Sequence, residues 1–259
     1  MVRETFRAAL DGAQLDELDS RIYIEDISEN IKLAVETMKR ARNGQWLVSA
    51  PDHDELEVKI TLMIKARQPE ERMDVIEKIM GWATSGYLTV STRPGLRLYV
   101  ICTQPPSVAA FDWTERLEIV LSGYGDACWE EIYPATVTAE NQTAWTGTIK
   151  PGGTRSCYLE YLVTNKASAN LTSVTATANG YTIAVTGITV AQGGKVWLHY
   201  DQHHFLYILT GATMQTPLVS YRTAASADDI LLTPGVSNSF TLTTDVSCDM
   251  EVTARGMWR

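Results

Sequence analysis

The sequence predicts a mainly β protein of two domains: an α+β first domain, in which one helix packs on β-sheets, and a second domain that is an antiparallel β-sandwich or jelly roll. Two observations carry this prediction. Apolar residues recur at every second position in many short segments, which is the period of a half-buried strand. The composition also changes at Tyr133-Pro134, from a charged first part to a Thr-rich second part.

The overall composition excludes several classes of protein. The chain has 259 residues and a formal charge of −9, with 45% hydrophobic residues, which is typical of a globular protein rather than a disordered one. An acidic balance argues against a protein that grips phosphate backbones, since such binding needs clustered Lys and Arg. No segment approaches the roughly 18 consecutive apolar residues of a membrane-spanning helix. The start of the chain lacks the apolar core of a secretory signal, so we expect synthesis in the cytoplasm and no membrane insertion.

The change in composition predicts where the domains divide. Residues 1–133 contain 15 Lys+Arg and 23 Asp+Glu, whereas residues 134–259 contain 7 and 8. Thr changes in the opposite direction, from 8 residues before this point to 22 after it. Pro134 restricts Tyr133 to an extended conformation, as a short connector requires. We therefore expect domains at 1–133 and 134–259.

The first domain contains alternating apolar patterns that predict strands. The clearest is Leu56–Ile64, and similar patterns occur around Ile22–Ile27, Leu88–Val90, Leu96–Cys102 and Leu117–Leu121. The segment Asn30–Met38 fits either a strand or a helix, and its Ile31, Leu33 and Val35 favour the strand.

One segment of the first domain, residues 69–85, predicts a helix. Pro69 suits the first turn, and Glu70 and Glu71 place negative charge where the helix dipole favours it. Gly86 is the predicted stop. Helical spacing predicts a buried stripe of Met73, Ile76, Met80 and Ala83.

The second domain consists of short runs rich in Thr, Val and Tyr, separated by turn residues such as Asn179-Gly180 and Pro234-Gly235. Antiparallel sandwiches and jelly rolls have this pattern of many short strands. The predicted strands are 156–163, 171–178, 181–186, 195–200, 205–209, 238–243 and 249–254.

Motifs that would carry catalysis are incomplete or missing. Gly123-Tyr124-Gly125 lacks the third glycine of a dinucleotide-binding fingerprint. Gly193-Gly194-Lys195 lacks the upstream glycine and the Ser or Thr of a phosphate loop. The sequence has no GxSxG nucleophile elbow. Cys102, Cys128, Cys157 and Cys248 form no CxxC pair, and we interpret them as reduced, buried side chains. We predict no catalytic residue and no cofactor, and hence a protein that is not an enzyme.

The histidines form the one cluster with metal-binding residue types, His199-Tyr200-Asp201-Gln202-His203-His204. Two imidazoles and a carboxylate could ligate a divalent cation. His199 and His203 share a face only on a helix, however, and this segment has the pattern of a strand, a turn and a strand. A polar hairpin tip is therefore the favoured interpretation, and no metal site is predicted.

Aromatic residues are frequent in the second domain, and they have two interpretations. They could stack on sugars, as in carbohydrate-binding sandwiches, or they could fill the core, which is the commoner use of large rings in β proteins. The residues concerned are Trp145, Tyr158, Tyr161, Trp197, Tyr200 and Tyr207.

Several stretches, taken in order, resemble the distal tail (Dit) proteins of long-tailed bacteriophages and prophages. The opening Leu10–Leu15 and the strand Ile22–Ile27 look like the first hairpin and strand of that family. The strand 56–64 and the helix after Pro69 are similar to its central block. The end of the chain resembles its C-terminal signature in Ser220-Tyr221-Arg222-Thr223, in residues 228–235 and in Ala254–Arg259.

The resemblance implies a virion structural protein at the tail tip, a baseplate hub. The first domain would be similar to tail-tube proteins and would form a homohexameric ring around the channel through which DNA passes without specific binding. The second would be a galectin-like sandwich projecting outward. Expected partners are the tail tube protein, the tail-associated hub or fibre protein and a receptor-binding protein. The charged hairpin Arg40-Ala41-Arg42-Asn43-Gly44 is a candidate contact between subunits.

Two other functions remain open from the sequence. A carbohydrate-binding module used in host adhesion would account for the aromatic residues of the second domain but leaves the first domain unexplained. A tail-tube subunit would share the helix-on-sheet organisation, but tube subunits stack into long cylinders whereas a hub forms one ring or a pair.

Overall fold

The computed structural model describes residues 6–32, 38–40, 46–48, 55–66, 68–104, 116–124, 128–201 and 204–258. The chain divides into two compact units, residues 1–129 and 130–259. The boundary expected from composition lies just inside the second unit. Strands dominate both units, so the predicted mainly β class is confirmed.

The first unit is an antiparallel sheet with a helix. Its sheet has the strand order β2-β1-β7-β8-β9-β6-β3, and β4 pairs with β5 in a separate hairpin. β10 lies at the division between the units. The elements are β1 (Ala8–Leu10), β2 (Ala13–Gln14), β3 (Ile22–Lys32), β4 (Met38–Arg40), β5 (Trp46–Val48), β6 (Glu55–Ile64), α1 (Pro69–Trp82), β7 (Ser85–Val90), β8 (Leu96–Gln104), β9 (Arg116–Gly123) and β10 (Trp129–Glu131).

The alternating strand predicted over 56–64 is confirmed and supplies much of the first core. In β6 the side chains of Leu56, Val58, Ile60, Leu62 and Ile64 are all at most 3% exposed. β6 pairs with β3 on one side and with β9 on the other, so it is an interior strand of the sheet. Within Asn30–Met38, β3 extends to Lys32 and β4 begins at Met38; residues 33–37 lie outside the described residues.

The helix α1 is confirmed, but only half of its predicted buried stripe is correct, since Ile76 and Ala83 are buried and the two methionines are not. Met73 and Met80 are 41% and 44% exposed. The buried face consists of Val75, Ile76, Ile79 and Trp82. This face is fixed at its end by Trp82, whose indole N–H donates a hydrogen bond to the carbonyl of Ala13 at 2.7 Å.

The sequence predicts that Gly86 ends the helix, and this prediction is wrong. The helix ends at Trp82, and Gly86 lies in β7 opposite Val100. The side chain of Asp11 packs against Gly86 so closely that a Cβ there would collide with the carboxylate. That carboxylate accepts a hydrogen bond from the backbone N–H of Tyr87 at 2.8 Å. Glycine is required here by a close approach between neighbouring strands.

The second unit is built on one antiparallel sheet with the order β14-β13-β19-β12-β15-β16-β17; β11 also pairs with β19, and β18 with β12. A short 3-10 helix precedes β18. The elements are β11 (Ala135–Ile149), β12 (Cys157–Asn165), β13 (Leu171–Ala178), β14 (Tyr181–Val190), β15 (Lys195–Tyr200), β16 (Leu206–Thr210), β17 (Thr216–Pro217), the 3-10 helix (Val219–Tyr221), β18 (Leu231–Leu232), β19 (Asn238–Ala254) and β20 (Met257–Trp258).

Two predicted strands, 238–243 and 249–254, are one continuous strand, β19. Its first part pairs with β13 and its last part with β12, while β11 pairs along its whole length. Register shifts in β11 around Asn141, which has a φ of 53°, accompany the change of partner. Asp245 and Ser247 lie in an irregular stretch of this strand between its two pairings, where polar residues interrupt the apolar alternation.

The outer edge of β14 is covered by the segment that follows the 3-10 helix. The N–H of Thr223 donates to the carbonyl of Ala184 at 2.9 Å, and the N–H of Ala227 donates to the carbonyl of Thr182 at 2.8 Å. The hydroxyl of Ser226 accepts the N–H of Ala184. This covering satisfies backbone groups that an edge strand would otherwise present to another chain.

Candidate functional site

The predicted histidine cluster is only partly described, and its described members do not converge. His199 lies on β15, where its Nδ1 is 3.0 Å from a carboxylate oxygen of Glu160. His204 follows the strand and stacks on Tyr158. His203 lies outside the described residues. Within the described part of the chain, no group of three or more His, Cys, Asp or Glu side chains is placed to hold a metal ion.

The aromatic residues of the second unit separate into core and surface. Tyr161 and Tyr200 are buried at 1% and 5% exposure, and Tyr158 stacks on Tyr200. Trp145 packs edge-on against the buried ring of Phe240. The core interpretation is therefore correct for Tyr161 and Tyr200, whereas Tyr158 and Trp145 are half-buried. The other two rings noted in the sequence, those of Trp197 and Tyr207, lie on an outward face.

That outward face, which we call the aromatic face, consists of Glu160, Trp197, His199 and Tyr207. The rings of Trp197 and His199 stack with centroids 3.9 Å apart and planes 16° apart. Tyr207 lies directly opposite His199 on β16 and is 38% exposed. The pairing of Glu160 with His199 joins residues that are 39 positions apart, and the sequence analysis missed Glu160 because strand register cannot be read from one sequence.

A second outward face, the threonine face, crosses β11, β19, β13 and β14. Thr146, Thr241, Thr177 and Thr182 lie in one row across these four strands. The hydroxyl oxygens of Thr146 and Thr241 are 3.3 Å apart, and those of Thr177 and Thr182 are 3.0 Å apart. This row carries neither a ring nor a charge, so the two outward faces of the unit differ completely in chemistry.

In the first unit the candidate interaction surface is the edge strand β3. Among the described residues β3 pairs with β6 along one edge, and its other edge has no partner strand. Tyr23 is 45% exposed, and the ammonium of Lys65 lies 3.9 Å from the centre of its ring. Ser28 and Asn30 are also exposed. Such an edge can accept a strand from another chain.

The inner part of β3 is fixed by a charged network. The guanidinium of Arg93 donates two hydrogen bonds to the carboxylate of Glu29, at 3.0 and 2.9 Å. The indole N–H of the buried Trp129 donates to the same carboxylate at 3.2 Å. This bidentate geometry gives the contact both strength and direction, so it anchors β3 at Glu29.

A second charged network joins α1 to the turn before β3. Asp19 accepts hydrogen bonds from Arg21 at 2.8 Å and from Lys78 at 2.9 Å, and Asp74 accepts from the same two cations. Because Arg21 and Lys78 favour the charged carboxylate, they hold the pKa of Asp19 well below its ordinary value. The network therefore attaches the helix to the sheet.

The predicted subunit-contact hairpin is described only at its strands. β4 and β5 pair with Arg40 opposite Trp46, and the turn residues 41–45 lie outside the described residues. The contact role of Arg40-Ala41-Arg42-Asn43-Gly44 stays a prediction.

The start of the second unit is fixed by residues that the sequence analysis did not identify as a pair. Arg255 donates hydrogen bonds to the carbonyls of Glu131 and Ile132, and its Nε lies 3.2 Å from the carboxylate of Glu130. The carboxylate of Glu131 accepts the N–H of Gly256 at 2.9 Å. We call this contact the connector clasp.

The four cysteines are free thiols, and three of them are buried. Burial raises the pKa of the Cys157 thiol to about 12, so the reactive thiolate is suppressed there. This supports the interpretation of Cys157 as a packing residue rather than a nucleophile.

The architecture of both units is found in solved phage structures. The crystal structure of the SPP1 Dit protein, described as a paradigm of the hub adsorption apparatus in phages infecting Gram-positive bacteria, superposes with a TM-score of 0.63. The superposition covers 97% of this chain and 99% of that chain at 14% identity. The chain has a Dit-like fold. The whole-chain coverage means that the Dit-like architecture extends through both units.

The baseplate of phage p2 gives the same result at a lower score. Two structures of that baseplate in its activated conformation, one with Sr and one with Ca, superpose with a TM-score of 0.53. Each covers 97% of both chains at 10% identity. These identities are low, so the likeness shows the fold, and the function is argued separately.

Neither the protein-family models nor the curated proteins include a match to this sequence. Among the described residues, no helix has the length and apolar character needed to cross a membrane.

Proposed function

We propose that the protein is a structural component of a phage tail tip, a baseplate hub that joins the tail tube to the tail-associated hub or fibre. The observation that carries this proposal is the Dit-like architecture across 97% of the chain. The role is one of shape and self-association rather than catalysis. The incomplete catalytic motifs of the sequence agree with this role. The protein would be made in the host cytoplasm and reside in the virion.

The proposed assembly is a homohexameric ring formed by the first unit. A closed ring requires a heterologous interface, in which one patch of each subunit meets a different patch of the next. The outward edge of β3 is one such patch, because β3 is 11 residues long and Arg93 anchors it through Glu29. The hairpin of β4 and β5 is the second candidate.

The charge of the first part suits a conduit for DNA. Residues 1–133 carry 23 acidic and 15 basic residues. A wall with this excess of carboxylates repels a passing phosphate backbone and does not retain it. The proposal therefore includes a central channel through which DNA moves without specific binding, and attachment of receptor-binding proteins at the outside.

Electron microscopy of the purified protein tests the assembly. We expect rings with sixfold symmetry, alone or in pairs; long cylinders would instead identify a tail-tube subunit. In intact particles, an antibody against the chain should label the junction between the tail tube and the tip, and labelling along the tube or the head would contradict the proposal.

A pair of matched variants tests the edge of β3. Ser28→Lys places a charge on that edge and should reduce the fraction of rings measured by mass photometry, because edge lysines oppose strand addition. Ser239→Lys places the same charge on an exposed position of β19 in the second unit and should leave ring formation unchanged. Equal effects from both variants would exclude the β3 edge as the interface.

A further inference from the structure

The aromatic face of the second unit has a combination of side chains that the hub role does not require. From it we propose that this face binds a neutral, hydroxyl-rich glycan. A hub joined to its neighbours by protein contacts needs no sugar affinity, so this activity goes beyond the proposed function. Its components are Glu160, Trp197, His199 and Tyr207, which neighbouring strands bring together.

The rings supply the apolar part of such a site. Trp197 and His199 stand face to face, and Tyr207 lies beside His199 with 38% of its surface exposed. One face of a sugar ring presents several C–H groups, and the electron-rich face of an aromatic ring attracts them. The strands hold these rings in place, so little side-chain freedom is lost when a ligand binds.

The polar groups supply the second part. Nδ1 of His199 lies 3.0 Å from a carboxylate oxygen of Glu160, so the imidazole Nδ1–H donates to the carboxylate. The carboxylate can accept further hydrogen bonds, and the indole N–H of Trp197 is a donor. Acceptors and a donor next to aromatic rings match neighbouring sugar hydroxyls, since a few placed polar groups fix a ligand's orientation.

The local charge selects a neutral ligand over an anionic polymer. Glu251 lies beside Leu162 on the same outward side of the sheet, and Leu162 in turn pairs with Trp197. The carboxylates of Glu160 and Glu251 at the face repel phosphate-rich polymers such as polyglycerol phosphate. A neutral glycan meets no such repulsion.

The threonine face provides an internal control, because it belongs to the same unit and is also a sheet surface. Its row of Thr146, Thr241, Thr177 and Thr182 offers hydroxyls but no ring. If any polar sheet surface retained sugars, the two faces would contribute equally. The proposal requires that binding depends on the aromatic face alone.

Saturation-transfer NMR on the full-length protein tests the proposal, with hexasaccharides of glucose, galactose and N-acetylglucosamine as probes. We expect transfer to at least one probe. Trp197→Ala should weaken that binding about tenfold, as for truncation of an aromatic anchor. Thr241→Ala should leave it unchanged. Absence of transfer to all three probes, or equal transfer with Trp197→Ala, would overturn the proposal, as would stronger binding of polyglycerol phosphate.

Two further variants keep the test decisive if Trp197→Ala does not fold. Tyr207→Ala and Glu160→Gln alter exposed or half-buried groups, and each should weaken the same binding while the circular dichroism stays that of the wild type. Mass photometry on the same samples separates the two proposals. In the wild-type protein, sugar binding without rings counts against the hub function, and rings without sugar binding count against the glycan site.

Discussion

The two units are nearly equal in length but complete their apolar cores with different polar chemistry. In the first unit, charged groups do this work: Arg93 binds Glu29, and Asp19 binds Arg21 and Lys78. In the second unit, Asn165 and Asn238 are buried at 0% and 3% exposure and bind backbone groups. The difference teaches that stability in the first unit is linked to charge, and therefore to salt and pH, whereas in the second it depends on neutral hydrogen bonds.

The second unit also contains ion pairs, including one with the buried carboxylate of Glu130, so the contrast between the units is one of degree. Lys166 pairs with Asp249 at 2.7 Å in a half-exposed position, and Arg255 pairs with Glu130 in the connector clasp. Asn165, by contrast, donates to the carbonyls of Ala169 and Val190 and accepts the N–H of Ala167. Neutral amides of this kind are insensitive to ionic strength.

The largest expected effect comes from shortening one core leucine in each unit, which tests whether the two cores are stabilised independently. Leu62→Ala in the first unit and Leu159→Ala in the second each remove a side chain that is at most 1% exposed. Each should lower the free energy of unfolding by about 2–5 kcal/mol. Hydrogen exchange should show the loss of protection in the unit that carries the change, and a loss spread equally over both would contradict independent cores.

The next effect comes from the buried amide. Asn165→Ala leaves two carbonyls and one N–H without their partners, and should lower the free energy of unfolding by about 2–3 kcal/mol. The loss measured by urea denaturation should be the same at low and high salt. The matched control is Asn30→Ala on the exposed side of β3, which should change stability by less than about 0.5 kcal/mol.

A smaller, salt-dependent effect is expected from the charged pair of the first unit. Arg93→Met removes a guanidinium that is partly open to solvent, and should cost about 1 kcal/mol at low salt. The cost should decrease as salt is added, unlike that of Asn165→Ala. A double-mutant cycle with Glu29→Gln measures the coupling directly, and a coupling independent of salt would remove the proposed contrast between the units.

The smallest effect concerns pH. The pKa of Asp19 is held low in the folded protein by Arg21 and Lys78, so this carboxylate stabilises the fold above the ordinary Asp pKa of about 3.9. That contribution is lost as the pH falls below this value. Hydrogen exchange of α1, corrected for intrinsic rates, should therefore lose protection on acidification. In Asp19→Asn the loss should be smaller, and an unchanged profile would exclude Asp19 as the cause.

Much of the fold could be predicted because alternation reports burial directly. The strand 171–178 was predicted with the bounds that β13 has, since its inward residues alternate with small polar ones. β11 was missed because most of its side chains are exposed and its pattern is interrupted around Asn141. A strand can be predicted from local sequence where one of its faces is apolar. The prediction fails where only the pairing with a neighbouring strand maintains the strand.

The candidate site was less predictable than the fold, because it depends on register. Trp197 and His199 are close in sequence, and both could be singled out. Glu160 comes from another strand, and nothing near it in sequence indicates its partner. The buried side of α1 was mistaken for a similar reason: Met73 and Ile76 fit one stripe and Val75 and Ile79 another, and the contact of Trp82 with Ala13 decides between them.

The length of β19 has a mechanical consequence for the second unit. Asn238–Ala254 is bonded to β11 on one side and to β13 and β12 on the other. Tension along this strand would load many backbone hydrogen bonds in parallel, as shear, instead of opening them one after another. A unit held in this way resists extraction of its own central strand under tension.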